Sequence, residues 1–298
     1  MTDNFETLAA SFGRELRIRN RTEATRRAYL ESVTRFSTWC RGQDLGSVAN
    51  VSREHIRAWL ETELGRVSAQ TTVRHLSGVR QWLGWLAAEG EIPADPTAGI
   101  TQPAIPEKLV HVPELNALRA ILRACAGRGY PERRDTALIL LMADSGPRAA
   151  EVCGLRVEDL DLDDQVVIVL GKGRRPRGVP IGRKAVAALD RFLRVRSRRR
   201  DAGSEWLWLG RPDTPITTSG LRQVLIRRSQ QAGITPALHP HQLRHYFADS
   251  WLRSGGTEGD LMRVTGWRSR QMVDRYASAL GVSRARAAHR ALSPADQL

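Results

Sequence analysis

Apolar residues recur at helical spacing through most of this 298-residue chain. From Thr22 to Cys40, the residues Ala28, Tyr29, Val33, Phe36 and Trp39 fall on roughly one stripe, and Arg41-Gly42 closes the segment. Ser52 is placed to cap a shorter helix containing Ile56, Trp59 and Leu60. Ser68 is placed to cap another that carries Val73, Leu76, Val79, Trp82, Leu83 and Leu86 and ends at Gly90. These aromatics read as core. From Ile92 to Glu107 four prolines and no periodicity predict a linker rather than a packed element. The pattern therefore divides the chain into a helical domain over 1–91, a linker over 92–107 and a second domain over 108–298.

The second domain starts with helices at about Pro113–Ala126 and Arg133–Asp144, the latter strongly apolar (TALILLMA) and expected in the core. Ser145-Gly146-Pro147 opens a new helix with Arg148 in its first turn and Glu151 one turn on. Gln165 to Leu170 (QVVIVL) reads as a strand, GKGRRPRG as a turn and VPI as the returning strand of a hairpin. Helices follow at about Arg183–Arg199 and Thr217–Ala232. Pro240 then opens a helix that Gly255-Gly256 stop, and a further helix runs from about Thr257 to Val264. Gly266-Trp267 breaks the pattern, and a short helix from about Ser269 carries Tyr276. The tail from Val282 to Leu292 has the pattern of one last short helix.

Charge narrows the classes of partner. Lys and Arg number 46 against 32 Asp and Glu, a net +14. Residues 1–106 hold 13 basic and 12 acidic residues, which leaves 33 and 20 for the remainder. A field concentrated in the second domain points to a polyanion, most simply nucleic acid; a basic soluble surface without a partner is the alternative. The run RFLRVRSRRR, six Arg in ten residues, fits a solvated helix face or a DNA-backbone contact equally. Cys40, Cys125 and Cys153 have no metal-ligand spacing and form no even set, which fits a reducing compartment. No secretory signal is visible and no apolar run approaches membrane-spanning length, so a cytoplasmic protein is expected.

Candidate chemistry gathers in HPHQLRHYFADSWLRSGGTEGDLMRVTGWRSRQMVDRY, residues 239–276. His241, Arg244 and His245 fall at i, i+3 and i+4 and project from one helix face. Arg matches a phosphate oxyanion geometrically, His moves protons, and Tyr can attack. Tyr246 lies beside this face but points about 100° away from His245. Arg148, where a helix begins, adds a guanidinium to backbone N–H groups and a positive dipole end; an ordinary surface pair with Glu151 is the alternative. Only Lys108, Lys172 and Lys184 are lysines. A Lys at a hairpin tip crowded with Arg174, Arg175 and Arg177 suggests a role requiring a proton that can leave, as in a general acid; a chance surface Lys in a basic turn is the alternative. Arg26, Arg27, Arg74 and Arg80 on the N-terminal helices are either a solvated face or phosphate contacts.

Arg148 in SGPRAAEVCGL, Lys172 in GKGRRPRGVP, the run His241-Gln242-Leu243-Arg244-His245, and Gly266-Trp267 nine residues before Tyr276 together resemble the tyrosine recombinase (phage integrase) family in order and spacing. The likeness covers nearly the whole chain. It implies a mainly α fold with a small β-sheet: a helical, SAM-like N-terminal core-binding domain and an α+β catalytic domain closing as a clamp on duplex DNA. It further implies that Tyr276 attacks the scissile phosphate to give a 3′-phosphotyrosyl link, while Arg148 and Arg244 hold the non-bridging oxygens. Lys172 would protonate the departing 5′ oxygen and His241 would help take the tyrosine proton. Trp267 stands where many members have His and Cre-like members have Trp, and would hydrogen-bond a phosphate oxygen. Glu151 matches an acidic position behind the arginines and His245 a structural one. Arg26, Arg27, Arg74, Arg80, Arg174, Arg175 and Arg177 are the expected DNA contacts. Pro147 departs from the larger apolar residue usual before the Arg. The implied activity is site-specific DNA recombination or integration by four protomers through a Holliday junction, with no metal or other cofactor. A nicking-closing enzyme of related chemistry and an inactive DNA-binding accessory protein are the rivals.

Overall fold

The computed structural model describes residues 4–105, 112–171, 175–210 and 214–273, together with 286, 289–290, 293 and 295–297. It is mainly α-helical with one small antiparallel sheet, and divides into two compact units, 1–108 and 109–298.

The first unit contains α1 (Asn4–Ile18), α2 (Glu23–Gly42), α3 (Arg53–Arg66) and α4 (Ala69–Ala88). Thr22, Ser52 and Ser68 cap α2, α3 and α4, each accepting a backbone N–H of the first turn on its side-chain oxygen. Each such cap contributes about 1 kcal/mol by satisfying a donor that the helix leaves unpaired. The stripe traced in the sequence begins only at Thr22. Yet α1 buries Phe5, Leu8, Phe12 and Leu16, a 3-4-4 spacing that marks one helical face. Phe36 meets Trp59 edge-on at 5.1 Å, and with Trp82 they fill the centre of the unit. The stretch expected to be a free linker is packed over its first half. Ile92 and Ile100 are buried in the first unit's core, and Arg53 donates to the Ala98 carbonyl at 2.9 Å. Prolines removed periodicity there without removing apolar anchors.

The second unit contains α5 (Leu115–Ala124), α6 (Tyr130–Ser145), α7 (Ala149–Cys153), β1 (Leu160–Asp161), β2 (Val166–Leu170), β3 (Pro176–Pro180), α8 (Arg183–Arg196), α9 (Thr218–Gln231), α10 (Pro240–Arg253) and α11 (Glu258–Thr265). The sheet order is β1-β2-β3, with Val167 opposite Val179 and Leu160 opposite Val167. Two details correct the sequence reading. A third strand, β1, is too short to carry an alternation. The returning strand starts at Pro176 rather than Val179, which places Arg177 within the sheet. Proline is tolerated there because β3 is an edge strand.

α6 is the central helix of this unit, packed against α8 and α10 and burying Ala137, Leu138, Ile139, Leu141 and Met142. Its Asp135 is fully buried and accepts bonds from Arg134, Arg227 and Arg228, fastening α6 to α9. In the arginine-rich run, Arg196 is neither solvated nor available to DNA. It is buried and donates to the carbonyls of Ala202, Ser204, Trp206 and Leu207, closing the loop after α8. No described helix is long and apolar enough to cross a membrane.

Candidate active site

Two helices end at the site, and both end on a left-handed glycine. Gly146 follows α6 with φ +60°, and a Cβ there would lie 2.6 Å from the Phe247 ring. Gly266 follows α11 with φ +68°, and a Cβ there would lie 3.2 Å from the Arg177 guanidinium. Only glycine meets both demands, the positive φ and the close approach.

Arg244, on α10, joins the two turns. It is 4% exposed and donates to the Gly146 carbonyl through Nη1 and to the Thr265 carbonyl through Nη2, the latter at 2.8 Å. Both carbonyls lie at helix C-terminal ends, where the partial charge is negative, so they are suited to hold a buried cation. The Trp267 ring centroid is 5.1 Å from the guanidinium carbon of Arg244, and the indole is itself buried. On the same helix the rings of His241, one turn before Arg244, and of His245, next to it, stack with centroids 5.9 Å apart, and His241 is exposed. Pro240 opens the helix and the Gln242 side chain accepts the His239 N–H, so these rings stand on a fixed first turn. Tyr246 packs into the hydrophobic core of the unit, away from the histidines.

Two residues past Gly146, Arg148 N-caps α7 rather than standing in its first turn. A five-residue helix gathers little dipole, and its first N–H, that of Arg148, is already bonded to Glu151 Oε2 at 2.8 Å. The helix N-terminus therefore contributes no anion site, which corrects the three-part reading. What the structure shows instead is a carboxylate platform. Glu151 is 4% exposed at its side chain, and its Oε1 accepts Arg148 Nη1 at 2.8 Å. Arg177 approaches as a fork, Nη1 to Oε1 and Nη2 to Oε2, both at 2.9 Å, and sends its Nε to the Val264 carbonyl. Burial acts to raise the Glu151 pKa. The bonds from Arg177, the Arg148 backbone and the Arg148 guanidinium outweigh it and hold the group below its ordinary 4.5. Arg148 itself keeps 42% of its side chain exposed. It faces outward from an anionic support.

The structure thus brings Arg148, Glu151, Arg244 and Trp267 together around the 146–148 turn, with His241 and His245 on the adjoining helix. It takes Arg177 out of the expected DNA contacts, since that guanidinium is engaged by Glu151 and Val264. The residue shares a strand face with buried Val179, two positions on, which is the signal that marks it as inward-facing. Arg175 is exposed. Lys172, Arg174 and Tyr276 lie outside the described residues. In the first unit Arg27 and Arg74 are exposed, Arg26 is paired with Glu23, and Arg80 donates to the Ile100 carbonyl, so Arg80 is tied to structure. None of the cysteines offers a thiolate near neutrality. Burial pushes Cys125 and Cys153 up to about 11 and Cys40 up to about 12.

Residues 114–280 match the phage integrase family, and residues 10–90 match the phage integrase N-terminal SAM-like domain. The chain belongs to the phage integrase family. Among its relatives in that family, tyrosine recombinase XerC of Xylella fastidiosa (strain M23) is 34% identical over 231 residues, 77% of either chain. Tyrosine recombinase XerC of Xanthomonas axonopodis pv. citri (strain 306) is 36% identical over 213 residues, 70% of this chain and 67% of the relative. The fold of this integrase-family chain is also that of solved structures. The XerH site-specific recombinase bound to palindromic difH substrate superposes with a TM-score of 0.75 at 18% identity, covering 91% of this chain and 81% of that one. A lambda integrase dimer bound to a core site superposes with a TM-score of 0.71 at 15% identity, covering 91% and 76%.

Proposed function

We infer that this integrase-family chain is a tyrosine-type site-specific DNA recombinase that cuts and rejoins DNA without an external energy source. The observation that carries the reading is that Arg148 and Arg244 meet at one turn: Arg244 donates to the Gly146 carbonyl, and Arg148, two residues on, is held by Glu151 with much of its side chain exposed. Two guanidiniums fixed around one point suit the non-bridging oxygens of a phosphodiester, whose charge rises in the transition state.

The Tyr276 oxygen attacks the phosphorus and the bond to the 5′ oxygen breaks, leaving a 3′-phosphotyrosyl ester and a free 5′ hydroxyl. A free phenol has a pKa of about 10, so attack near neutrality needs a proton acceptor and a cationic surround. His241 takes the phenol proton. Lys172 gives a proton to the departing 5′ oxygen. Trp267 supports the Arg244 guanidinium and borders the phosphate, and His245 braces His241 by stacking. Glu151 and Arg177 are positioning residues that act through Arg148. The ester retains the energy of the broken bond, so attack by the 5′ hydroxyl of a partner strand reverses the step and exchanges strands. Two such exchanges, through a Holliday junction, make four protomers the working assembly on two duplex sites.

Sequencing fragments recovered in covalent linkage to the protein identifies the site. A duplex carrying that site with a nick beside the cleavage point traps the ester. Wild-type protein is expected to accumulate adduct on a denaturing gel, while Tyr276→Phe binds the same duplex and forms none. Adduct formation by Tyr276→Phe overturns the assignment.

A further inference from the structure

A second concentration of positive charge lies at the opposite end of the catalytic unit. Arg128, Arg133, Arg191, Arg194 and Arg198 line a shallow cleft of about 390 Å³ with Val195 as the one apolar side chain. Its distance from the catalytic centre follows from the helices. α6 is 16 residues long, roughly 24 Å, with Arg133 near its start and Arg148 beyond its end. α8 runs back alongside it: the Gly182 N–H at its start bonds Asp144 at the end of α6, and Arg199, past its end, lies 4.3 Å over the Tyr130 ring at the start of α6.

The cleft differs from an ordinary solvated face in how its charge is left unbalanced. Three separate segments bring guanidiniums to it: the turn before α6, the first turns of α6, and the end of α8. Nearby carboxylates face elsewhere. Asp135 is held by Arg134, Arg227 and Arg228, Asp201 by Arg199, and Glu132 reaches Arg228. Only Arg194 has an acidic partner, Asp190, while Arg128, Arg133, Arg191 and Arg198 form no ion pair among the described residues. Gathering like charges raises the free energy of the isolated protein, and a bound polyanion removes that cost.

We propose that this cleft binds the sugar–phosphate backbone of a second duplex segment, distinct from the one at the catalytic centre. The lining selects for phosphate rather than for an acidic protein. It is guanidinium with a single valine, and it lacks the aromatic or large apolar anchors on which protein interfaces depend. Guanidinium forks match phosphate oxygens, and contacts of this kind carry affinity without reading sequence. A recombinase with such a contact holds flanking or incoming DNA of any sequence against its outer face. The site is independent of the tyrosine chemistry.

The test uses the full-length chain and a random-sequence 40-base-pair duplex, with phenylglyoxal modification of each arginine read by mass spectrometry. The expected result is at least fivefold protection of Arg128, Arg191 and Arg198 that develops with the second equivalent of duplex and is identical in Tyr276→Phe. The double variant Arg191→Gln/Arg198→Gln is then expected to lower the slope of log affinity against log salt for that second equivalent by about 2, near 0.9 for each phosphate that is no longer neutralised. It leaves the first equivalent unchanged, and far-ultraviolet circular dichroism reports whether the variant is folded. Modification rates unaffected by duplex at any ratio, or protection by poly-glutamate but not by duplex, overturn the proposal. Protection complete at one equivalent overturns the second-segment assignment.

Discussion

Both units of this chain are built on a filled apolar core, but the catalytic centre of the second is held by a different kind of restraint. In the first, helices begin on hydroxyl caps and bury rings: Phe5, Phe12, Phe36, Trp59 and Trp82 are all at most 1% exposed. In the second, the positions that matter for chemistry are fixed by guanidiniums on carbonyls and carboxylates: the buried Arg244 on Gly146 and Thr265, and the partly buried Arg177 on Glu151 and Val264. Burial of apolar area is non-directional and tolerates small shifts. Charge-assisted bonds fix angle and distance. A domain that has to place a phosphate between two arginines gains from the second kind of restraint, and a domain that has to remain folded can rely on the first.

The sharpest break of that comparison lies in the first unit. Trp59→Ala is expected to cost about 3–5 kcal/mol, the range for truncating a large aromatic in a filled core. Differential scanning calorimetry is expected to show the transition of the first unit lowered and that of the second unmoved. A shift of both transitions together contradicts the division into separately held units.

The same contrast explains what the sequence revealed. Helix periodicity and caps over 22–90 were legible because an apolar stripe and a hydroxyl are local signals. The 241–245 face was legible as chemistry because a fixed helical spacing places its side chains without any knowledge of the tertiary fold, whereas Arg148 and Gly266-Trp267 became legible only through the resemblance to a family in order and spacing. Arg177, Arg196 and Arg80 were not, since an arginine tied to the protein's own backbone and a solvated one look alike until the carbonyl that receives each is known. Those carbonyls lie 87, between 6 and 11, and 20 residues away along the chain. Residues 92–100 were misread for the converse reason, prolines hiding two isoleucines that anchor the stretch.

A smaller expected effect tests the directional half. Arg177→Met removes the fork from a carboxylate that stays buried. A loss of about 3 kcal/mol is expected, at the low end for breaking a buried pair because the Arg177 side chain keeps 17% exposure. If Glu151 positions Arg148, the rate of covalent adduct formation drops as well, by roughly 10- to 100-fold, as a misplacement of about 1 Å would give. Arg177→Lys restores the charge but not the two parallel bonds, so it is expected to recover stability more fully than rate. Equal recovery of both makes Arg177 a purely structural residue.

The smallest effect concerns acid. Glu151 is held below its ordinary 4.5 against the pull of burial, chiefly by Arg177 and Arg148. A carboxyl whose folded pKa is depressed contributes stability that is fully present above the unfolded value and lost as pH falls through the folded one. The melting temperature of the second unit is therefore expected to decline below about pH 4.5 partly through this group. Glu151→Gln cannot titrate, so it is expected to start less stable at neutral pH and to lose less on acidification, and the two curves converge once the pH has fallen below the depressed folded value. The first unit supplies the internal control, because it does not contain Glu151 and its own transition is expected to follow one acid curve in both proteins. Parallel acid curves for the second unit of wild type and Glu151→Gln would mean that the carboxylate is not what holds the two arginines, and the restraint on Arg148 would then have to come from the Gly146 turn alone.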